Sequence, residues 1–306
     1  MNNLDIIDEL KENIPESIGA IGYGSGVFKQ TGYSEDEKPD KDLILIVKNF
    51  KQFLIDDYQM NPDHFSKDFN SNILYKAKEK NDFYDNLGCL KFYHNNIHFK
   101  MMVISKDALC EDLTTWKYFG MAGRLSKPII YRDLPEDLEN YILNNKQNVL
   151  ITALLSTEKD QMSTSELYNI ISSLTYKGDF RTILPGEKRT KASDIVNGAL
   201  EYFDSNYKES PLLRSNGNTI YNDHPLALID FLPTNLKETI YSKLNIQENS
   251  QLTDEDISKT KEIINEYFRQ TNFINSIRLA ISSGTTLGKK ETIKHGIAKF
   301  QKHLKR

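Results

Sequence analysis

The run Leu43-Ile44-Leu45-Ile46-Val47 is the longest aliphatic stretch in the chain, and two acids, Asp40 and Asp42, stand at its head. A continuous aliphatic run of strand length is the pattern of a strand covered on both faces. It predicts a sheet with packed material on either side. The run is far short of the roughly 20 apolar residues needed to span a bilayer.

With 306 residues, 39% of them hydrophobic, the chain can bury a sizeable core, and its length predicts about two domains. The net charge of −4 argues against a protein that coats nucleic acid over its surface. The two cysteines, Cys89 and Cys110, stand in apolar segments and read as buried free thiols. Two cysteines cannot form a structural zinc site alone, and the histidines do not cluster with them. The start, Met1-Asn2-Asn3-Leu4-Asp5, has no basic run followed by an apolar one, so no targeting signal is expected there.

Helical spacing predicts a helix over Leu4–Ile14, closed by Pro15. Ser17–Tyr23 reads as a strand ending in a tight turn at Gly24-Ser25-Gly26. Polar residues 31–41 form a loop, and residues 48–86 read as helical or irregular. Leu87–His94 and Ile97–Ile104, split by Asn95-Asn96, predict a hairpin. Ser105 caps a helix expected to run to about Gly120. Beyond a boundary near Lys127–Arg132 the periodicity is helical, over Leu134–Asn145, Asn148–Leu155 and Ser163–Leu174. Ser163 and Glu166 have capping-box spacing. Residues 209–225 read as a linker or surface loop, followed by helices at about 233–244, 253–268, 270–283 and 289–304.

The chemistry is concentrated in Gly24-Ser25 followed by Asp40-Lys41-Asp42. A Gly-Ser turn at a strand end lets backbone N–H groups and a hydroxyl approach triphosphate oxygens. Acids at i and i+2 on an extended segment project to the same side and can hold Mg²⁺ through oxygen ligands. Such metal binding stabilises the attacking and leaving oxygens of a phosphoryl transfer. Either half alone is a weak signal, since glycine-rich turns and Asp-x-Asp pairs are common on surfaces. Together, with an aliphatic strand directly after the acids, they resemble a nucleotidyltransferase signature.

The string Tyr23-Gly24-Ser25-Gly26-Val27-Phe28-Lys29-Gln30-Thr31-Gly32-Tyr33 resembles the opening motif of the mitochondrial-type CDP-diacylglycerol synthases, also called the translocator assembly and maintenance family. The resemblance continues through Asp42–Val47, Asn61–Ser66 and Lys100. It then takes in Asp112–Lys117, Ala122–Pro128, Ser173–Arg181 and Gly186-Glu187-Lys188, in family order and over most of the chain. It implies an α+β fold: a nucleotidyltransferase domain with a mixed sheet and flanking helices (1–130), a mainly helical, winged-helix-like domain (131–225) and a C-terminal helical segment (226–306). The implied reaction is transfer of CMP from CTP to phosphatidic acid, giving CDP-diacylglycerol and pyrophosphate with Mg²⁺. Departures are Lys48, where relatives commonly carry an acid, Met101-Met102 in place of Tyr-Gly, and Phe65 in place of tyrosine. Asp40 makes this chain's Asp-x-Asp fuller than that of many relatives.

On this reading Asp40 and Asp42 are the metal ligands, and Asp42, Asp40 and Lys100 are the catalytic residues. Tyr23, Gly24, Ser25, Gly26, Arg124 and Lys127 contact the nucleotide. Arg181, Lys188 and His64 are candidates for the lipid phosphate; for His64 a structural role or a phosphate contact is favoured over that of a general base. Two polyanionic substrates repel unless cations offset them, which is what the lysines and arginines supply. The Lys289–Arg306 segment carries Ile293, Ile297, Phe300 and Leu304 on one helical stripe with a basic complement, which suits an anionic membrane surface. No nucleic-acid motif accompanies it. The expectation is a bacterial, cytoplasmic protein peripheral to the inner face of the cell membrane, with the matrix side of the mitochondrial inner membrane as the alternative. Rival readings are a nucleotidyltransferase with a non-lipid acceptor and a non-catalytic membrane-surface protein.

Overall fold

A computed structural model describes residues 11–28, 40–65, 86–94, 97–132, 134–180, 190–247 and 255–287, with Asp8, Phe69, Ser250, Leu252 and Thr253. Most of the helix expected over Leu4–Ile14, the 31–39 loop and the basic segment 289–304 lie outside these residues.

Strands β1 (Gly19–Tyr23), β2 (Lys41–Val47), β3 (Leu87–His94), β4 (Ile97–Ser105) and β5 (Ile129–Arg132) form one mixed sheet in the order β3-β4-β2-β1-β5. β2 and β4 run parallel, and the other neighbours are antiparallel. The aliphatic β2 is central and covered on both faces, as its composition requires. Leu43, Leu45 and Val47 pack with Phe50, Phe53 and Leu54 of α1 (Phe50–Met60). Ile44 and Ile46 join a second, larger cluster that runs into the helical part of the chain.

That part begins with α2 (Lys106–Thr115) and α3 (Gly120–Leu125). Ser105 caps α2 by accepting from Ala108 N–H at 3.3 Å. The single helix expected from Ser105 to about Gly120 is in fact two. Trp116 (φ 55°) and Phe119 (φ 51°) take left-handed conformations that break it. Both rings are buried and packed edge-on at 4.9 Å, and each meets Phe268, so side-chain burial overrides helical continuation.

The opposite happens in α4 (Glu136–Leu155), one helix where the sequence suggests two. Its polar middle is buried but partnered. Asn145 bridges Trp116 Nε1 and the Ala122 carbonyl, and Lys146 donates to Asn206 Oδ1. The chain continues through α5 (Thr164–Ser173), α6 (Lys191–Gly198), the short α7 (Leu200–Phe203), α8 (Thr234–Leu244) and α9 (Glu255–Leu287). The Ser163–Glu166 capping box at α5 is complete. α9 joins the two helices expected over 253–283.

Three strands escape sequence reading. β6 (Gln161–Ser163), β7 (Arg214–Asn216) and β8 (Thr219–Tyr221) form a small sheet in the order β6-β8-β7. Each has three residues, and only Met162 and Ile220 are buried among them, so no alternation marks them. β5 likewise lies where the sequence suggests a boundary, because four residues after a proline carry no period.

Candidate active site

Asp42, Ile44 and Ile46 share one face of β2 by strand alternation, and Asp40, just before the strand, pairs with His98 and Lys100 beside it, so the two acids open on the face that Ile44 and Ile46 bury deeper in. Asp42 is aligned with Tyr23 on β1 and with Lys100 on β4. After Tyr23 the chain reverses at Gly24, whose φ of +74° favours glycine and whose carbonyl accepts from Val27 N–H (3.2 Å) and Phe28 N–H (2.9 Å). A Cβ on Gly24 would lie 2.8 Å from Asp42 Oδ2. The carboxylate therefore faces the glycine-serine bend. A Cβ on Gly26 would come within 2.1 Å of the Asp40 carbonyl oxygen, and Lys41 Nζ donates to the Gly26 carbonyl. Two backbone segments are pressed together here, and Ser25, the residue before Gly26, is partly exposed.

Asp40 is engaged on both oxygens. His98 Nδ1 lies 2.6 Å from Oδ1, and Lys100 forms an ion pair with Oδ2. Burial alone raises the Asp40 pKa, but hydrogen bonds from Lys100 and then His98 outweigh it and hold the carboxyl below its usual range. His98 was missed in the sequence. Its signal is position alone: two residues before Lys100 on β4, hence on the same face.

Arg124 approaches from α3. Its Nη1 donates to the Gly120 carbonyl at 2.6 Å, and its guanidinium hydrogen-bonds the Tyr23 hydroxyl. That hydroxyl lies 3.3 Å from Met102 Sδ. Burial, then the neighbouring Asp42 carboxylate, push Tyr23 ionisation far above its ordinary value, against the pull of Arg124. Tyr23 is thus a neutral group joining Arg124 to the acidic strand. Lys127 donates to Thr175 Oγ1 at 2.7 Å and sits 4.6 Å from the centre of the Tyr176 ring. A Cβ on Gly123 would strike Thr175 Cγ2 at 2.3 Å, so the 122–128 and 173–180 blocks meet closely. Phe28 closes the glycine turn against the Tyr202 ring at 5.2 Å.

The structure thus gathers Tyr23, Gly24, Ser25, Gly26, Asp40, Asp42, Lys100 and Arg124 at one end of the sheet, with Lys127 just beyond α3. His64 is elsewhere. It lies 3.1 Å from both oxygens of the fully buried Asp57 on α1, which also accepts from Asn61 Nδ2 at 3.0 Å. Phe65 beside it packs in the α1 cluster, on the opposite face of the sheet from Asp42. This geometry gives His64 a structural task, closing the end of α1, and does not bring it to the phosphates. Arg181 and Lys188 lie outside the described residues.

Among the described residues no group of three or more acidic, histidine or cysteine side chains could hold a metal. Two same-face carboxylates nevertheless fit Mg²⁺, which characteristically takes one or two protein carboxylates and fills its remaining positions with phosphate oxygens and water. The donors are all hard oxygens, and glycine at position 24 keeps the space before Asp42 open.

A glycine-serine turn facing an acidic central strand is a nucleotidyltransferase-like arrangement, and comparison with known proteins agrees with it. The family described as "Phosphatidate cytidylyltransferase, mitochondrial" matches residues 5–302. The chain belongs to this family. The phosphatidate cytidylyltransferase of Schizosaccharomyces pombe is 28% identical over 258 residues, covering 79% of this chain and 63% of the relative. That of Saccharomyces cerevisiae is 35% identical over 200 residues, covering 61% and 50%. That of Caenorhabditis elegans is 27% identical over 315 residues and covers 94% of each. The chain thus spans between half and two thirds of the two yeast proteins and nearly all of the nematode one. All three relatives carry "mitochondrial" in their names. Among the described residues no helix is long and apolar enough to cross a membrane.

Proposed function

We propose that this cytidylyltransferase-family chain transfers CMP from CTP to phosphatidic acid, giving CDP-diacylglycerol and pyrophosphate. The observation that carries the reading is the Asp42 carboxylate set against Gly24 of the glycine-serine turn, with Arg124 reaching the same point through Tyr23.

A phosphate oxygen of phosphatidic acid attacks the α-phosphorus of CTP. The bond from that phosphorus to the bridging oxygen of the β-phosphate breaks, and pyrophosphate leaves. The second pKa of a phosphate monoester is about 6, so the nucleophile is largely ionised near neutral pH and needs no strong general base. Catalysis is then positioning and charge neutralisation. The Gly24–Gly26 turn offers backbone N–H groups to the triphosphate. Lys100, Arg124 and Lys127 offset the charge of two anions brought together. Asp42, with Asp40, would hold Mg²⁺, which supplies charge neutralisation to the phosphates. Asp40 already shares its charge with His98 and Lys100, and Asp42 is set against the glycine turn, so Asp42 is the principal ligand in this reading. The basic segment after Lys289 would bring the active site to anionic lipid, as a peripheral association. The relatives' names favour the mitochondrion as its place.

The test is to incubate purified protein with labelled CTP, Mg²⁺ and phosphatidic acid vesicles. Lipid-linked CMP from wild type and its loss in Asp42→Ala are expected. Folded protein that makes none, or full activity in Asp42→Ala, overturns the reading. Transfer to an acceptor without lipid would favour another nucleotidyltransferase.

A further inference from the structure

Asp112 is fully buried on α2 and far from solvent, yet it touches no substrate group of the proposed site. Its Oδ2 accepts from Met121 N–H at 2.6 Å and Ala122 N–H at 3.0 Å, the first turn of α3. Its Oδ1 has no hydrogen-bond partner among the described residues. A buried carboxylate is costly unless its oxygens are engaged, and here the backbone N–H groups that open α3 engage it. The turn it holds is the one whose Gly120 carbonyl accepts from Arg124 Nη1. The connection leading into that turn contains two aromatic residues in left-handed backbone, Trp116 and Phe119. Left-handed backbone at non-glycine residues is strained, and such strain persists only where the surroundings over-determine it.

The surroundings do so from three directions. Asp112 grips the N–H groups. Asn145 Nδ2 donates to the Ala122 carbonyl at 2.9 Å. Tyr267 of α9 donates to the Trp116 carbonyl at 2.7 Å, and the Phe268 ring supports both aromatics. Everything converges on six residues whose one functional side chain at the glycine turn is Arg124. From these contacts we infer that Asp112 is a positioning residue for the reaction: by fixing the first turn of α3 it aims Arg124 at the Tyr23 hydroxyl. The inference rests on the cytidylyl-transfer reading for its activity readout, and nucleotide binding gives it a second one.

The experiment is a double-mutant cycle on full-length protein, using Asp112→Ala, Asp112→Asn and Arg124→Ala, with Asp112→Ser in place of Asp112→Ala if the alanine variant does not fold. Both kcat/KM for CMP transfer and the Kd for Mg·CTP are measured below the melting temperature of each variant. Removing the acceptor should lower kcat/KM by about 10–100-fold, the scale of a misplaced catalytic group. The same change should have little further effect in the Arg124→Ala background, because the residue through which it acts is already gone. Asp112→Asn keeps an oxygen acceptor for the two N–H groups and should recover most of the activity. Full additivity of Asp112→Ala with Arg124→Ala overturns the inference, as does unchanged activity and CTP affinity in a folded Asp112→Ala or Asp112→Ser. If wild type binds Mg·CTP but transfers no CMP, the proposed reaction falls, and the cycle on Kd still decides the role of Asp112.

Discussion

Replacing Gly26 by alanine separates steric demand from backbone strain at the glycine turn, because no left-handed conformation is required at this position. The added carbon would stand 2.1 Å from the Asp40 carbonyl oxygen and 2.9 Å from both the Asp40 carbonyl carbon and Lys41 Cα. All three are backbone atoms, so no flexible side chain can swing aside. Contacts under 3.0 Å are essentially never seen for Cβ atoms, so turn and strand must part by roughly 1 Å. Parting them weakens the Lys41–Gly26 hydrogen bond and lifts Gly24 and Ser25 off Asp42. A displacement of that size costs about 10²-fold in rate where catalysis is positioning, and overpacking costs about 1–3 kcal/mol of stability. Gly217→Ala is the control. Gly217 has φ +60° but nothing within 4 Å of its would-be Cβ, so that variant should lose about 1 kcal/mol of stability and no activity. Steady-state CMP transfer, alongside denaturant melts, reads both. A folded Gly26→Ala with wild-type kcat would refute the claim that close approach of turn and strand builds the site.

Asp42→Asn should lower kcat/KM by at least about 10²-fold, and Asp40→Asn by only roughly fivefold, the scale of one partly exposed ion pair. Equal losses and equal shifts in Mg²⁺ dependence would contradict that division of labour. Burial pushes Asp112 up to about 6, against the pull of the Ala122, Met121 and Phe119 N–H groups and Arg124. A folded-state pKa above the unfolded value means the fold binds the proton more tightly. The favourable contribution is therefore complete below about pH 4 and disappears as pH rises through 6, by up to roughly 3 kcal/mol. Asp112→Asn should accordingly gain stability relative to wild type between pH 4 and 7 in urea melts, and a flat difference would refute this. Ser163→Ala removes half of the α5 capping box and should cost about 1 kcal/mol, measured by the same melts.

What the sequence disclosed followed the strength of local signals. β2 was legible because five aliphatic residues in a row have one structural reading, and the hairpin because Asn95-Asn96 punctuates it. The caps at Ser105 and Ser163 were legible because capping depends on residues three positions apart. The break at Trp116–Phe119 was not, since it depends on Phe268, more than 140 positions away. β6, β7 and β8 were too short to show a period. In the candidate site, the nearness of the turn to Asp42 could be read because the two stand at the ends of adjoining strands, one local signal after the other. His98 could not, because a histidine on a strand acquires meaning only once Asp40 lies opposite. His64 stood in a family-like block, yet block membership carries no information about which face of the sheet a residue occupies.

The packing of Tyr267 and Phe268 beneath the Trp116–Phe119 bend makes α9 part of the foundation of the catalytic end, not an appendage to it. A protein shortened before Glu255 would keep all five strands of the main sheet, both acids and the glycine turn, and still lose the wedge that keeps the arginine-bearing segment in shape. Fragments bearing every signature residue of the first 130 positions should therefore be inert, so the smallest working unit extends at least to the middle of the last long helix.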